Sequence, residues 1–207
     1  WAGPPGIAAD RCFILPAGYR LMPDVPYYEA AGHRFAMDVW MPPAGGAGQA
    51  APVPCVLQFA HNNAERMAAP NFIRYRDTLI EGLASLGFAV AMADHPTPPP
   101  GISTYQVPDV IYKARAAVRT LRAQAHAAGL TVGGVGVIGF SRAGAVAAFA
   151  ALAGPEQVPG DAGPHRDCDE SVQAALCASG KYDLLALADP PTPQMGRTLA
   201  AAWGDPR

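Results

Sequence analysis

The amino-acid sequence predicts an α/β domain, a mostly parallel sheet with helices on both faces. Three observations predict it. Continuous apolar runs of strand length recur at 53–60, 88–94, 135–140 and 172–179, as in strands covered on both sides. Segments with helical spacing of apolar residues separate them, so strand and helix alternate three times and right-handed crossovers make the strands parallel. The 207 residues suffice for one domain with a substantial core and are few for two, so 1–207 is read as a single domain.

Residues 34–41 alternate, with Phe35, Met37, Val39 and Met41 on one face and Ala36, Asp38 and Trp40 on the other. A shorter extended run, 25–28, precedes them across Ala30-Ala31-Gly32, and the two read as an antiparallel hairpin. The Gly/Ala/Pro tract 42–52 is a loop before the first apolar strand. The period then changes, and Phe72, Tyr75, Leu79, Leu83 and Leu86 mark a helical face closed by Gly87. Beyond the 88–94 strand and a turn-rich loop at 96–101, Val110, Ala114, Ala117, Leu121 and Ala125 line a helix that stops at Gly129. The 135–140 strand leads into a small-residue helix, 142–153. A loop rich in Pro, Gly and Asp then runs to Glu170 and the last strand, 172–179. There is no internal repeat. Pro190, Pro191 and Pro193 with the helical patch 199–203 make 190–207 the expected start of a lid or a connection.

Half the residues are apolar and the formal net charge is −2, which leaves no electrostatic footprint for nucleic acid or an anionic membrane. A small-molecule or neutral polymeric substrate is expected. No apolar run approaches the roughly 20 residues of a membrane span. Cys55 and Cys177 lie in apolar runs and are expected as buried single thiols, whereas Cys12 and Cys168 lie in loops that an oxidising compartment can bridge. No cysteine pair has metal-ligand spacing, and neither metal nor cofactor is expected. The first residue is Trp1, and the expectation is an exported protein, secreted or periplasmic, with the cytoplasm as the alternative.

Catalytic groups in such sheets collect at the carboxyl ends of the strands. There the sequence places Gly139-Phe140-Ser141-Arg142-Ala143-Gly144, between an apolar strand and a small-residue helix. The pattern resembles the nucleophile elbow, G-x-S-x-G, with Ala143 at the second small position. A Ser held in a strained turn needs small neighbours two places either side, where bulk would strike the strand and helix backbones. The helix start behind Ser141 adds N–H groups and a positive dipole end, suited to a developing oxyanion. The alternative is that Ser141 merely caps a helix.

The segments 24–42, 53–61 and 110–122, followed by the Gly139 motif, resemble successive blocks of the α/β-hydrolase superfamily, in its bacterial branch of acetylxylan and feruloyl esterases. The resemblance covers about 24–190. It implies a serine hydrolase that cleaves carboxylic esters through an acyl-enzyme on Ser141. In that branch the first parallel strand ends in His-Gly-Gly, whose N–H groups complete the oxyanion hole; here it ends in His61-Asn62-Asn63. The resemblance therefore assigns oxyanion contacts to the backbone N–H of Arg142 and of Asn62 or Asn63, and makes His61 structural.

A Ser nucleophile needs a general base, and the base a carboxylate. In this fold the chain order is Ser, then Asp or Glu, then His. After Ser141 the only His is His165, in the loop before the last strand, and Asp183, just after the 172–179 strand, is a fallback acid or otherwise a loop-start residue in the Tyr182-Asp183 turn. The C-terminal two strand units of the fold are missing from this chain, and a further segment or second chain is expected to supply them. Two alternatives stay open: a non-catalytic binding protein on the same fold, and a dienelactone-, polyester- or chlorophyllase-like hydrolase.

Overall fold

The structure is a computed structural model that describes residues 13–30, 32–44, 51–60, 76–97, 107–159, 163–180 and 182. In chain order the elements are β1 (Arg20–Ala30), β2 (His33–Met41), β3 (Val53–Phe59), α1 (Arg76–Ser85), β4 (Ala89–Ala93), α2 (Val107–Ala127), β5 (Val132–Phe140), α3 (Arg142–Leu152) and β6 (Ala174–Ala178). The strands lie in the order β1-β2-β4-β3-β5-β6. β1 pairs antiparallel with β2, β2 antiparallel with β4, and β4, β3, β5 and β6 run parallel.

The expected hairpin is present, but β1 is longer than the 25–28 run, beginning at Arg20. The alternation of β1 is hidden because its register shifts twice, between Met22 and Val25 and between Pro26 and Tyr28. Asp24 takes a positive φ of 54° at the first shift, and its N–H donates to Asp38 Oδ1 at 2.9 Å. An extra residue absorbed this way bends a strand and breaks the period of two.

Both predicted glycine stops are borne out, by the same geometry. Gly87 and Gly129 have φ of 84° and 79°. Each donates its N–H to the carbonyl three residues back, while the next residue donates five back: Phe88 to Leu83 and Leu130 to Ala125. This pairing satisfies the last helical carbonyls and needs a left-handed residue, which glycine supplies without a side-chain clash.

On one sheet face, Val53, Cys55, Leu57 and Phe59 of β3 and Val135 and Val137 of β5 form the main core beneath α2 and α3. The predicted stripe of α2 is fully buried there, and α3 contributes mostly alanines, whose small side chains bring the helix close to the sheet. The opposite face carries a smaller cluster of Trp40, Ile80, Val90 and Met92 under α1. Here the helical face differs from expectation. Ile80 and Ala84 are the buried residues, and Leu86 is 73% exposed. The helix has ended by Ser85, so Leu86 lies in the glycine turn and leaves the stripe.

The last strand also departs from expectation. It is not covered on both faces: Ala174, Ala175 and Leu176 are exposed and Cys177 is only half-buried. Among the described residues β5 is its only strand neighbour. Cys55 is buried as expected, and its environment pushes the thiol up to about 12, chiefly through desolvation. Cys168 is a free thiol here, and Cys12, the partner considered for it, lies outside the described residues. No helix among the described residues is long and apolar enough to cross a membrane.

Candidate active site

The parallel strands deliver their carboxyl ends to one edge of the sheet, where Phe59 is in register with Ala93 and Phe140 with Ala178. Ser141 stands at this edge, the single residue between β5 and α3. Its backbone has φ 55° and ψ −119°, a region that non-glycine residues rarely enter and that costs on the order of 1–3 kcal/mol unless the surroundings impose it. The surroundings do impose it. The Ser141 N–H donates to Ala178 O at 2.8 Å, and Ser141 O accepts from the Gly144 N–H at 3.0 Å. The side chain makes no capping hydrogen bond to the helix, so the capping alternative does not describe this residue.

The turn is tight enough to dictate its neighbours. A Cβ on Gly139 would lie 1.8 Å from the Ala143 carbonyl oxygen, and one on Gly144 would lie 2.8 Å from Ala178 O. Ala143 is itself fully buried, so this position accommodates its methyl group. The need for a second glycine therefore falls on Gly144, one residue later than the motif places it. The demand comes from β6, a strand more than 30 residues away, and no local pattern announces it.

Arg142 is the first residue of α3, where a backbone N–H has no carbonyl one turn back to satisfy it. It lies next to Ser141, and its side chain is half-buried. Asn62, Asn63, His61 and Asp183 lie outside the described residues. Beyond β6 the chain turns at Ser179, whose φ is 54°, and Gly180 packs against Gly144 while donating its N–H to the Tyr182 hydroxyl at 2.9 Å.

Among the described residues no histidine is hydrogen-bonded to Ser141. His33 packs edge-on against Phe35 in the hairpin. His95 follows β4, two strands from β5 and so roughly 10 Å away across the sheet; it is buried with Nδ1 2.7 Å from Thr97 Oγ1. His126 is in the last turn of α2, at the opposite edge. His165 lies in the loop between α3 and β6. No group of three or more His, Cys, Asp or Glu among the described residues is placed to hold a metal ion.

The strand order, the antiparallel hairpin at one side and the helices on both faces define the α/β-hydrolase fold. Its structural neighbours include bacterial carbohydrate esterases and carboxylesterases. A truncated carbohydrate esterase from gut microbiota superposes with a TM-score of 0.60 at 18% identity, covering 90% of this chain and 66% of that one. A bifunctional GH43-CE protein of Bacteroides eggerthii gives 0.59 at 21% identity, covering 84% of this chain and 22% of that one. Esterase 2 of Thermogutta terrifontis, phosphorylated by paraoxon, gives 0.53 at 18% identity, covering 77% and 56%. The chain thus spans two thirds or less of the length of each. No protein-family model and no curated protein matches the sequence.

Proposed function

We propose that this chain carries the nucleophile of a serine hydrolase that cleaves carboxylic esters, and that the nucleophile is Ser141. The observation that carries the reading is the Ser141 backbone, held at positive φ between strand and helix with its side chain unused as a cap. Strain imposed from two sides on a Ser at the carboxyl edge of a parallel sheet points to function more than to stability. The esterase neighbours lend support, one of them in a form phosphorylated by paraoxon.

In the proposed reaction Ser141 Oγ attacks the ester carbonyl and passes its proton to a histidine. The resulting oxyanion is met by the backbone N–H of Arg142 and that of Asn62 or Asn63, with the dipole of α3 behind it. The tetrahedral intermediate expels the alcohol, which takes the proton from the histidine, and leaves an acyl group on Ser141. Water then repeats the sequence and releases the acid. The histidine and its carboxylate belong to a further segment with two more strands beyond β6, with Asp183 as the fallback acid. The exposed apolar residues of β6 are what such a segment would cover. An exported location goes with a polymeric ester as substrate.

The test is labelling of the complete polypeptide with a fluorophosphonate. Ser141 is expected to be modified, and Ser141→Ala to abolish labelling and lower ester turnover by about a millionfold, as removal of a triad nucleophile does. Turnover unchanged in Ser141→Ala would place the nucleophile elsewhere. A complete polypeptide that neither labels nor turns over esters would favour a binding protein on this fold.

A further inference from the structure

Arg115, Arg119 and Arg122 of α2 are spaced four and three residues apart and so form one line along the helix. The side chains of Arg115 and Arg119 are only 4% and 1% exposed. Buried guanidinium groups are costly unless paired, so their partners define what the line is for. The partners that follow all lie between α3 and β6. Arg115 donates to Val158 O at 3.2 Å and forms an ion pair with Glu170. Arg119 donates to Pro164 O at 3.2 Å and to Glu170 Oε2 at 2.6 Å. Arg122 donates to Ser171 O at 2.9 Å and Gln173 Oε1 at 3.3 Å, and lies 3.2 Å from Asp169 Oδ2.

Gln173 joins this line to the sheet. Its Oε1 accepts the Val135 N–H at 2.7 Å while its own N–H donates to Val135 O at 2.9 Å, so one residue holds both backbone groups of a β5 residue. β6 begins at the next residue, and its other end supplies Ala178 O to the Ser141 N–H. A slip of one residue along β5 would carry that carbonyl about 3.3 Å away and reverse the faces of β6. β6 has no second strand beside it among the described residues to prevent a slip. We propose that Gln173 and Arg122, backed by the Arg115–Glu170–Arg119 cluster, are positioning residues that set β6 in register on β5 and thereby hold Ser141 in its strained conformation. The consequence for catalysis rests on Ser141 being the nucleophile; the consequence for its backbone does not.

The experiment uses the complete polypeptide with Gln173→Leu, Gln173→Glu and Arg122→Leu. Gln173→Glu keeps the oxygen that accepts from Val135 and Arg122. Amide hydrogen exchange is read at Ser141, with the Leu57 amide of β3 as internal reference. Ser141 exchange should rise at least tenfold in Gln173→Leu and Arg122→Leu and stay within threefold of wild type in Gln173→Glu, with Leu57 unchanged throughout. The maximal rate of fluorophosphonate labelling should fall at least tenfold in the first two variants, with the half-saturating probe concentration unchanged. If Gln173→Leu does not fold, Arg122→Leu decides, because it removes only a support of Gln173 and leaves Gln173 itself in place. Wild-type protection of Ser141 in the variants, or equal loosening of Leu57, overturns the proposal. So does lost protection with an unchanged labelling rate, since the clamp would then be structural only. Should the wild type itself not label, the nucleophile assignment fails, and the exchange data still judge the register lock.

Discussion

At Ser141 the backbone and the side chain make opposite demands. The backbone at φ 55° suits glycine, while the proposed chemistry needs a hydroxyl. Ser141→Gly is therefore expected to raise stability by about 1 kcal/mol, the lower end of what such strain costs, while removing all fluorophosphonate labelling. Urea unfolding of the complete polypeptide measures the first and intact mass the second. A loss of stability would show that the conformation is not strained. Gly139 is the complementary case: it contributes no group to the chemistry, yet a Cβ there has no room beside Ala143 O. In the proposed reaction Arg142 acts through its N–H at the start of α3, which any residue but proline supplies.

α2 divides its surface among three tasks. Its apolar stripe closes the main core, its arginines hold the segment before β6, and Lys113 turns toward the β1–β2 hairpin. The Lys113 side chain is 4% exposed, with Nζ 4.9 Å from the Phe35 ring centre and 5.8 Å from that of Tyr28. Burial holds its amine below the usual lysine range, an effect partly offset by Asp109 one turn earlier. The unfolded chain therefore binds the proton more tightly, and stability rises with pH between the folded and unfolded values. Relative to Lys113→Met, which cannot titrate, the wild type should gain stability on going from pH 8 to pH 10, by up to about 1.4 kcal/mol per pH unit. Urea denaturation at the two pH values measures it, and a constant difference between the proteins would show that the amine titrates normally.

Of the parallel strands, β6 is the least covered among the described residues. Ala174 and Leu176 on one face of β6 and Ala175 on the other are exposed apolar residues, with Leu176 59% exposed. Such an edge is a template for association, and in the proposed complete protein it would lie beneath further strands. Leu176→Lys thus has opposite expected effects in two settings. In residues 1–207 alone it should raise the monomer fraction in size-exclusion chromatography, because charge on an exposed edge discourages pairing. In the complete polypeptide it should lower stability by about 2 kcal/mol or more, since the charge would be buried. A complete polypeptide indifferent to the substitution would mean that nothing covers this face.

The sequence by itself determined the alternation of strands and helices, the hairpin, the two glycine stops and the strand–Ser141–helix junction. Each of these is written in neighbouring residues: a period of two or 3.6, a left-handed glycine, small residues around a turn. Only the tertiary structure decided what depends on segments far apart in the chain. It set the strand order, the burial of Ile80 and Ala84 in place of a stripe through Leu86, and the exposure of β6. Gly144 and the arginines of α2 carry the same lesson. Ala178 O leaves Gly144 no room for a side chain, and Arg119 meets Glu170 from 51 residues away. Local periodicity encodes which face of an element is apolar, but the group that meets a given backbone or cation is chosen by packing, and packing joins residues that no short pattern relates.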